Sequence, residues 1–182
     1  MSKKNKPPRP EPETLGLPLC GEDSHAHLDL DDFDADREAL RDRARACGVA
    51  RIGNVFLGPE AYRKNRPLFD HRPEVFFLLG IHPGNADQCS VETLAAMRAA
   101  FAADQRLKAV GEIGLDFYWD DHPRDMQEHV FRAQLDIARA IGLPLDAVPA
   151  APARLRPLLA GVTPAMAKIS TGSWRNALSL LS

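Results

Sequence analysis

The chain has 182 residues, 45% of them hydrophobic and 26% charged, with a formal charge of −2 and a pI near 6.3. That is enough apolar material for one soluble, globular domain with a sizeable core, while the near-balanced charge gives no basic field from which binding to nucleic acid or an anionic membrane could be argued. No apolar run approaches the roughly 18 residues that would span a bilayer, and Cys20, Cys47 and Cys89 form no CxxC pair and no even-numbered disulfide set, which points to a reducing, cytoplasmic setting.

Residues 1 to about 14 combine Pro, Lys and Glu with few apolar side chains, so residues 1–20 are expected to form a disordered N-terminal tail. Pro7, Pro8, Pro10 and Pro12 stand where the apolar part of a secretory leader would have to be. The stretch "EDSHAHLDL", residues 22–30, follows. Asp34 is then a candidate N-cap for a charged helix through about Cys47, with Gly48 just past its end. "VFFLLGIH", from Val75, is short, branched and aromatic, as a buried strand would be. Ser90 is placed to cap a helix with Leu94, Met97 and Phe101 on one face, and "LKAVGEIGLD" reads as another buried strand.

A long helix starts at Pro123, with Met126, Val130, Ala133, Ile137 and Ile141 at steps of three and four, and Gly142 and Pro144 stop it. Strands alternating with helices predict a parallel α/β architecture with both sheet faces covered, in about four to five β-α units over residues 21–146. From Ala147 to Ser182 there is no Asp, Glu or His, and four prolines break a segment without clear period, so 147–182 is expected to be an atypical, irregular C-terminal tail. Its Ala/Pro/Arg/Leu bias is what a shifted reading frame near codons 145–148 would give.

The chemistry concentrates in three places. His25 and His27 lie two apart, so on a strand both imidazoles face one way and could reach a single metal ion, with Asp23 and Asp29 as candidate acceptors for their ring N–H groups; two unrelated surface histidines would give the same spacing. Glu112 lies near the end of a buried strand, close to Gly111 and Gly114, where it needs a partner, an arginine or a capped turn serving as well as a ligand. His82, before Pro83 and Gly84, could face a substrate or could hold a turn. His71, His122 and His129 read as surface or capping residues, and Tyr118 and Trp119 as core or rim aromatics rather than a base-stacking platform.

"DSHAHLD", "LLGIHPG" and "VGEIGLDFY", followed by "QEHVFRAQLDIARAIGLPL", together resemble the TatD-type metal-dependent deoxyribonucleases over about residues 22–145. The resemblance implies a (β/α)8-type barrel, present here in part, with a site at the carboxyl ends of its strands. It also implies one or two divalent metal ions, Mg, Mn or Zn, and hydrolysis of phosphodiester bonds, often from a 3′ DNA end. His25 and His27 match the family's first two metal ligands, Glu112 its bridging carboxylate, and His82 a histidine near the substrate phosphate; Asp116 is a further candidate beside them. Glu112, His82 and Asp116 are thus the catalytic candidates.

The chain also departs from that pattern. Where the family has a ligand histidine shortly after "GLPL", this sequence has Val148, and no histidine follows His129. The expectation is an impaired metallohydrolase with a sheet edge left unpaired beside the strand of Glu112 or the next one. A non-catalytic module keeping half of an enzyme fold is the alternative. A hydrolase of the amidohydrolase kind with a bridging modified lysine fits less well, because Lys108 precedes the relevant stretch. DNA or another phosphodiester is the expected partner, with no membrane and no protein partner inferable.

Overall fold

A computed structural model describes residues 10–119, 121–149, 158–159 and 167–169. Six strands, β1 (Gly21–Ala26), β2 (Val49–Leu57), β3 (Val75–Gly80), β4 (Leu107–Leu115), β5 (Leu145–Pro149) and β6 (Ala167–Ile169), form one sheet in sequential order, every pair parallel. Four helices, α1 (Arg37–Ala46), α2 (Pro59–Asn65), α3 (Val91–Ala103) and α4 (Arg124–Ile141), lie between them in the chain. Parallel neighbours require a crossover, and right-handed crossovers repeated in one direction put every helix on the same face.

The packing shows that arrangement. Alternate residues of β3, Val75, Phe77 and Leu79, join the main core with side chains from all four helices, including Leu40, Tyr62, Met97 and Phe131. Phe76 and Leu78 point the other way and meet Val55 and Ala109 in a small cluster to which, among the described residues, no helix contributes. Helices on one face replace the expected covering of both. The sheet also curls. Four strand spacings in a flat sheet would separate β1 from β5 by about 19 Å, yet His25 of β1 and Asp146 of β5 are 2.6 Å apart. Sequential order, helices on one side and a curled sheet make this a partial (β/α)8 barrel.

Local signals explain most element ends. Ser90 Oγ accepts from Thr93 N–H at 3.1 Å at the start of α3, and Gly142 closes α4 in the left-handed region at φ 68°. Gly48 has φ 89°, and a Cβ there would stand 2.7 Å from the Pro18 carbonyl oxygen. The start of α1 differs from expectation: Asp31–Phe33 form a 3-10 turn, the helix begins at Arg37, and Asp34 accepts from the Arg37 guanidinium at 2.6 Å instead of capping. The buried face of α4 is also rotated from the predicted one. Gln127, Val130, Phe131, Gln134, Leu135, Ile137 and Ala138 are buried, while Met126 and Ile141 are exposed. Tyr118 and Trp119 are 81% and 70% exposed, an edge-on pair 4.8 Å between ring centroids, so neither belongs to the core.

A few described residues within the two expected tails form short elements. Pro12–Leu15 make a 3-10 turn with no buried residue, and the expected tail over residues 1–9 lies outside the described residues. Within 147–182, β5 runs to Pro149, Leu158 and Leu159 are buried in the core, and β6 pairs with β5 through Leu145–Ala167 and Ala147–Ile169. The remainder of that segment lies outside the described residues. No unpaired edge adjoins Glu112: β4 has neighbours on both sides, and so does β5. Among the described residues no helix is long and apolar enough to cross a membrane.

The two buried glutamines of α4 act on the strand ends. Gln134 accepts from Ile81 N–H at 2.6 Å and donates to its carbonyl at 3.0 Å. One turn-pair earlier, Gln127 does the same for Asp116, at 2.8 and 2.9 Å, and donates to the His122 carbonyl at 3.0 Å. Each carboxamide replaces a missing neighbour strand where β3 and β4 end. Gln134→Leu keeps the volume but orphans one donor and one acceptor in a buried place, and is expected to lower stability by about 2–4 kcal/mol, read as a drop in urea midpoint with an unchanged slope; a change under about 0.5 kcal/mol would show the amide pairing to be dispensable.

Candidate metal centre

All six strands run the same way, so their carboxyl ends share one rim of the sheet. Strand alternation then selects the side chains that face inward there. Ala26, Ile113 and Ala147 pack with the helices, and their neighbours His25, Glu112 and Asp146 therefore point to the opposite, concave face. His27 lies just past the end of β1.

His25 Nε2 is 3.5 Å and His27 Nε2 3.7 Å from Glu112 Oε2, with the two rings nearly perpendicular, their centroids 5.1 Å apart. One ligand atom from each of the three residues lies within 4.8 Å of the others. Nitrogen and carboxylate oxygen bind divalent ions at about 2.0–2.2 Å, which places ligand atoms of one ion about 3–4 Å apart. The three donors fit a divalent metal ion on both chemistry and spacing.

The far ring nitrogens are committed elsewhere. His27 Nδ1 is 3.2 Å from the Val55 carbonyl, which can only accept, so Nε2 is left as the free lone pair. His25 Nδ1 is 2.6 Å from Asp146 Oδ2, and Asp146 is 1% exposed. The expected acceptors do other work. Asp23 Oδ1 accepts from the backbone N–H of His25 at 3.1 Å. Asp29, buried, accepts from Asn54 and Asn65 Nδ2, each at 3.0 Å, and so ties the segment after His27 to β2 and α2.

The charges follow from this geometry. The hydrogen bond to Asp146, then that to Glu112, raises the His25 pKa to about 10 against the opposing effect of burial. Burial alone would push Glu112 up, but the His25 ring beside it, through its hydrogen bond and its positive charge, outweighs burial and holds the carboxyl at about 2. Burial lowers His82 against the pull of Glu112 and Asp116, which keeps its ring neutral.

The other sequence candidates lie beside the triad. His82 Nδ1 accepts from Gly84 N–H at 3.0 Å at the start of a 3-10 turn, so its remaining ring proton is on Nε2. The turn therefore uses one ring nitrogen of His82 and leaves the other as a donor. Asp116 is outside the group of three, and its Oδ1 accepts from Tyr118 N–H at 2.9 Å. His122 bonds the Gly84 carbonyl at 3.2 Å, while His71 and His129 are exposed. Asp146, Gln127 and Gln134 were not anticipated. The signal for Asp146 was a carboxylate inside the apolar strand "LPLDAV".

A family model described as TatD related DNase matches residues 22–146. The metal-dependent hydrolase YabD of Bacillus subtilis is 33% identical over 123 residues, 68% of this chain and 48% of that protein. The 3′-5′ ssDNA/RNA exonuclease TatD of Cronobacter sakazakii is 35% identical over 115 residues, 62% of this chain and 43% of that protein. The chain thus spans about half the length of the curated relatives it matches. Among solved structures, the crystal structure of YjjV, a TatD homologue from Escherichia coli K12, superposes with a TM-score of 0.73 at 26% identity, covering 88% of this chain and 65% of that one.

In the metal-free chain His25 carries a proton at neutral pH, and a metal reaches Nε2 only once a ring proton has left. Mn2+ binding is therefore expected to release close to one proton, with apparent affinity rising up to about tenfold per pH unit below pH 10. Calorimetry in buffers of different ionisation enthalpy measures both, and pH-independent affinity would remove His25 from the ligand set. The same pair shapes metal-free stability. The His25 contribution is complete below pH 6.5 and fades as pH rises through about 10, and the Glu112 contribution is complete above 4.5 and fades as pH falls through about 2. Denaturation midpoints at a pH series are expected to show that plateau, with the acid limb absent in Glu112→Gln and the alkaline limb, which rests first on Asp146, retained.

Proposed function

The chain belongs to the TatD-related DNase family, and on that premise we propose that it is a metal-dependent phosphodiesterase acting on DNA, 3′ to 5′, with reduced activity. The observation that carries this reading is the convergence of His25, His27 and Glu112 with both histidines held by their far nitrogens. These three residues would hold the ion. When bound, a divalent ion supplies Lewis-acid chemistry, offsetting charge on phosphoryl oxygens and making a water more acidic. That local positive charge matters in a chain whose net charge is near balance.

The protein's own groups supply the rest of the site. His82, neutral and with its Nε2 proton free of the turn, is the donor for a non-bridging phosphate oxygen. Gln134, by gripping Ile81, holds the backbone that delivers His82. Asp116 lies close enough to act electrostatically on His82, and the Gln127 amide fixes its backbone in the same way. Glu112, held ionised down to about pH 2, stays a carboxylate throughout the physiological range.

Val148 is the reason for proposing reduced activity. It stands on the same face of β5 as Asp146 and offers no donor atom where the family pattern places a histidine. The same residue supports a second reading, a non-catalytic module that keeps the half-barrel. Purified chain with Mn2+ and a 3′-labelled single-stranded DNA separates the two. The expected result is slow, EDTA-sensitive release of mononucleotides, falling at least about 100-fold in Glu112→Gln and His25→Ala. Metal binding without any release would favour the module, and release indifferent to EDTA and to both substitutions would overturn the catalytic reading.

A further inference from the structure

We propose that Asp146 is the positioning carboxylate of the metal centre: it holds the Nδ1 proton of His25 and thereby fixes Nε2 of that ring as the donor atom beside Glu112. The inference rests on the reading of His25, His27 and Glu112 as ligands and adds a residue from β5.

Three observations carry it. Asp146 Oδ2 lies 2.6 Å from His25 Nδ1, the short distance of a charge-assisted bond, while Nε2 of the same ring faces Glu112 at 3.5 Å. A ring held between two carboxylates on opposite nitrogens has its orientation set by the one that cannot move. Asp146 is 1% exposed within a strand flanked on both sides, whereas Glu112 retains 15% side-chain exposure.

The neighbouring strand is shaped for this carboxylate. A Cβ on Gly111 would stand 2.7 Å from Asp146 Cβ and 2.9 Å from its carbonyl oxygen, so any larger residue at position 111 would displace the acid from the ring. The third observation is energetic. Asp146 Oδ1 has no hydrogen-bond partner among the described residues. A buried carboxylate with one oxygen orphaned carries an uncompensated desolvation cost, which a purely structural role would avoid with a valine or isoleucine. The acid is explained by what it does to His25.

The pairing is of the kind that orients metal-binding histidines generally, where an acceptor on the far nitrogen fixes tautomer and rotamer and raises the basicity of the ligating nitrogen. His27 uses the Val55 carbonyl for the same purpose. The two histidines thus differ in the charge behind them, with the carboxylate behind His25 making it the stronger donor.

The test uses the whole chain, Mn2+ or Zn2+ alone as probe, and a double-mutant cycle. Asp146→Leu is expected to lower Mn2+ affinity about 10- to 100-fold, and Asp146→Asn, which keeps an acceptor, to lose less. In a His25→Ala background, adding Asp146→Asn should cost nothing further, because its action passes through the ring. In the zinc-loaded native chain, proton NMR should show a hydrogen-bonded Nδ1 proton of His25 protected from exchange, lost in Asp146→Leu. Equal Mn2+ affinity in native, Asp146→Asn and Asp146→Leu chains, or an equal loss with and without His25, would overturn the assignment while leaving the metal centre intact. A native chain that binds neither ion would overturn both readings together. Should Asp146→Leu fail to fold, the Asp146→Asn cycle and the NMR signal decide alone.

Discussion

The contact between His25 and Asp146 is the point from which the rest of this structure can be understood. It joins the first strand of the sheet to the fifth across the concave face, and a flat sheet would hold those strands too far apart to touch. Two carboxylates face inward at the rim, Glu112 and Asp146, and buried anions cost several kcal/mol each unless compensated. His25 stands between them with one nitrogen toward each. In the metal-free chain its proton supplies the compensating charge. A divalent ion among the three donors would take over that task on the Glu112 side and leave the Nδ1 proton to Asp146. Curvature of the sheet, protonation of the histidine and readiness for a metal are therefore one electrostatic problem with two solutions.

Neutral amides solve the other problem of the rim, which is that parallel ladders end there with backbone groups unpaired. Gln127 and Gln134 lie seven residues apart on α4, two turns along one face, and each closes a pair of hydrogen bonds on a residue just beyond a strand end. Asn54 and Asn65 do similar work on Asp29. Because these partners carry no charge, they add nothing to the field already present around Glu112. The helix that covers the sheet is thus also the element that sets where His82 and Asp116 begin.

How far the sequence could be read follows from the range of each interaction. The convergence of His25, His27 and Glu112 was legible because strand alternation is local and places the pair on one face, and the family resemblance supplied the third residue. Caps such as Ser90 and Gly142 are equally local. Asp146 was not legible as the partner of His25, since 121 positions separate them and the rule that near carboxylates accept from near histidines pointed to Asp23 and Asp29. The face of α4 was rotated in the reading for a similar reason. Glutamine counts as polar in a hydrophobic pattern, yet Gln127 and Gln134 are 1% and 0% exposed because strand ends need their amides. The placement of all helices on one side depends on crossover handedness repeated around a closing sheet, which no single segment encodes. Asp34 looked like a cap, but Arg37 reaches both its carboxylate and the Leu28 carbonyl and draws the chain into a 3-10 turn first.

β5 shows how a barrel strand can contribute without ligating. Its inward positions are Asp146 and Val148, and the acid lies deeper while the valine is half-buried. A histidine at 148 would have offered another donor. Valine offers methyl groups that cannot coordinate, so β5 acts on the centre through the charge behind His25. Three protein donors are the number commonly found at catalytic zinc, where the remaining position is left for water or substrate. Losing a donor from β5 therefore does not prevent an ion from being held. What position 148 leaves out is a further donor atom on the concave side of β5, so an ion held there would rest on His25, His27 and Glu112.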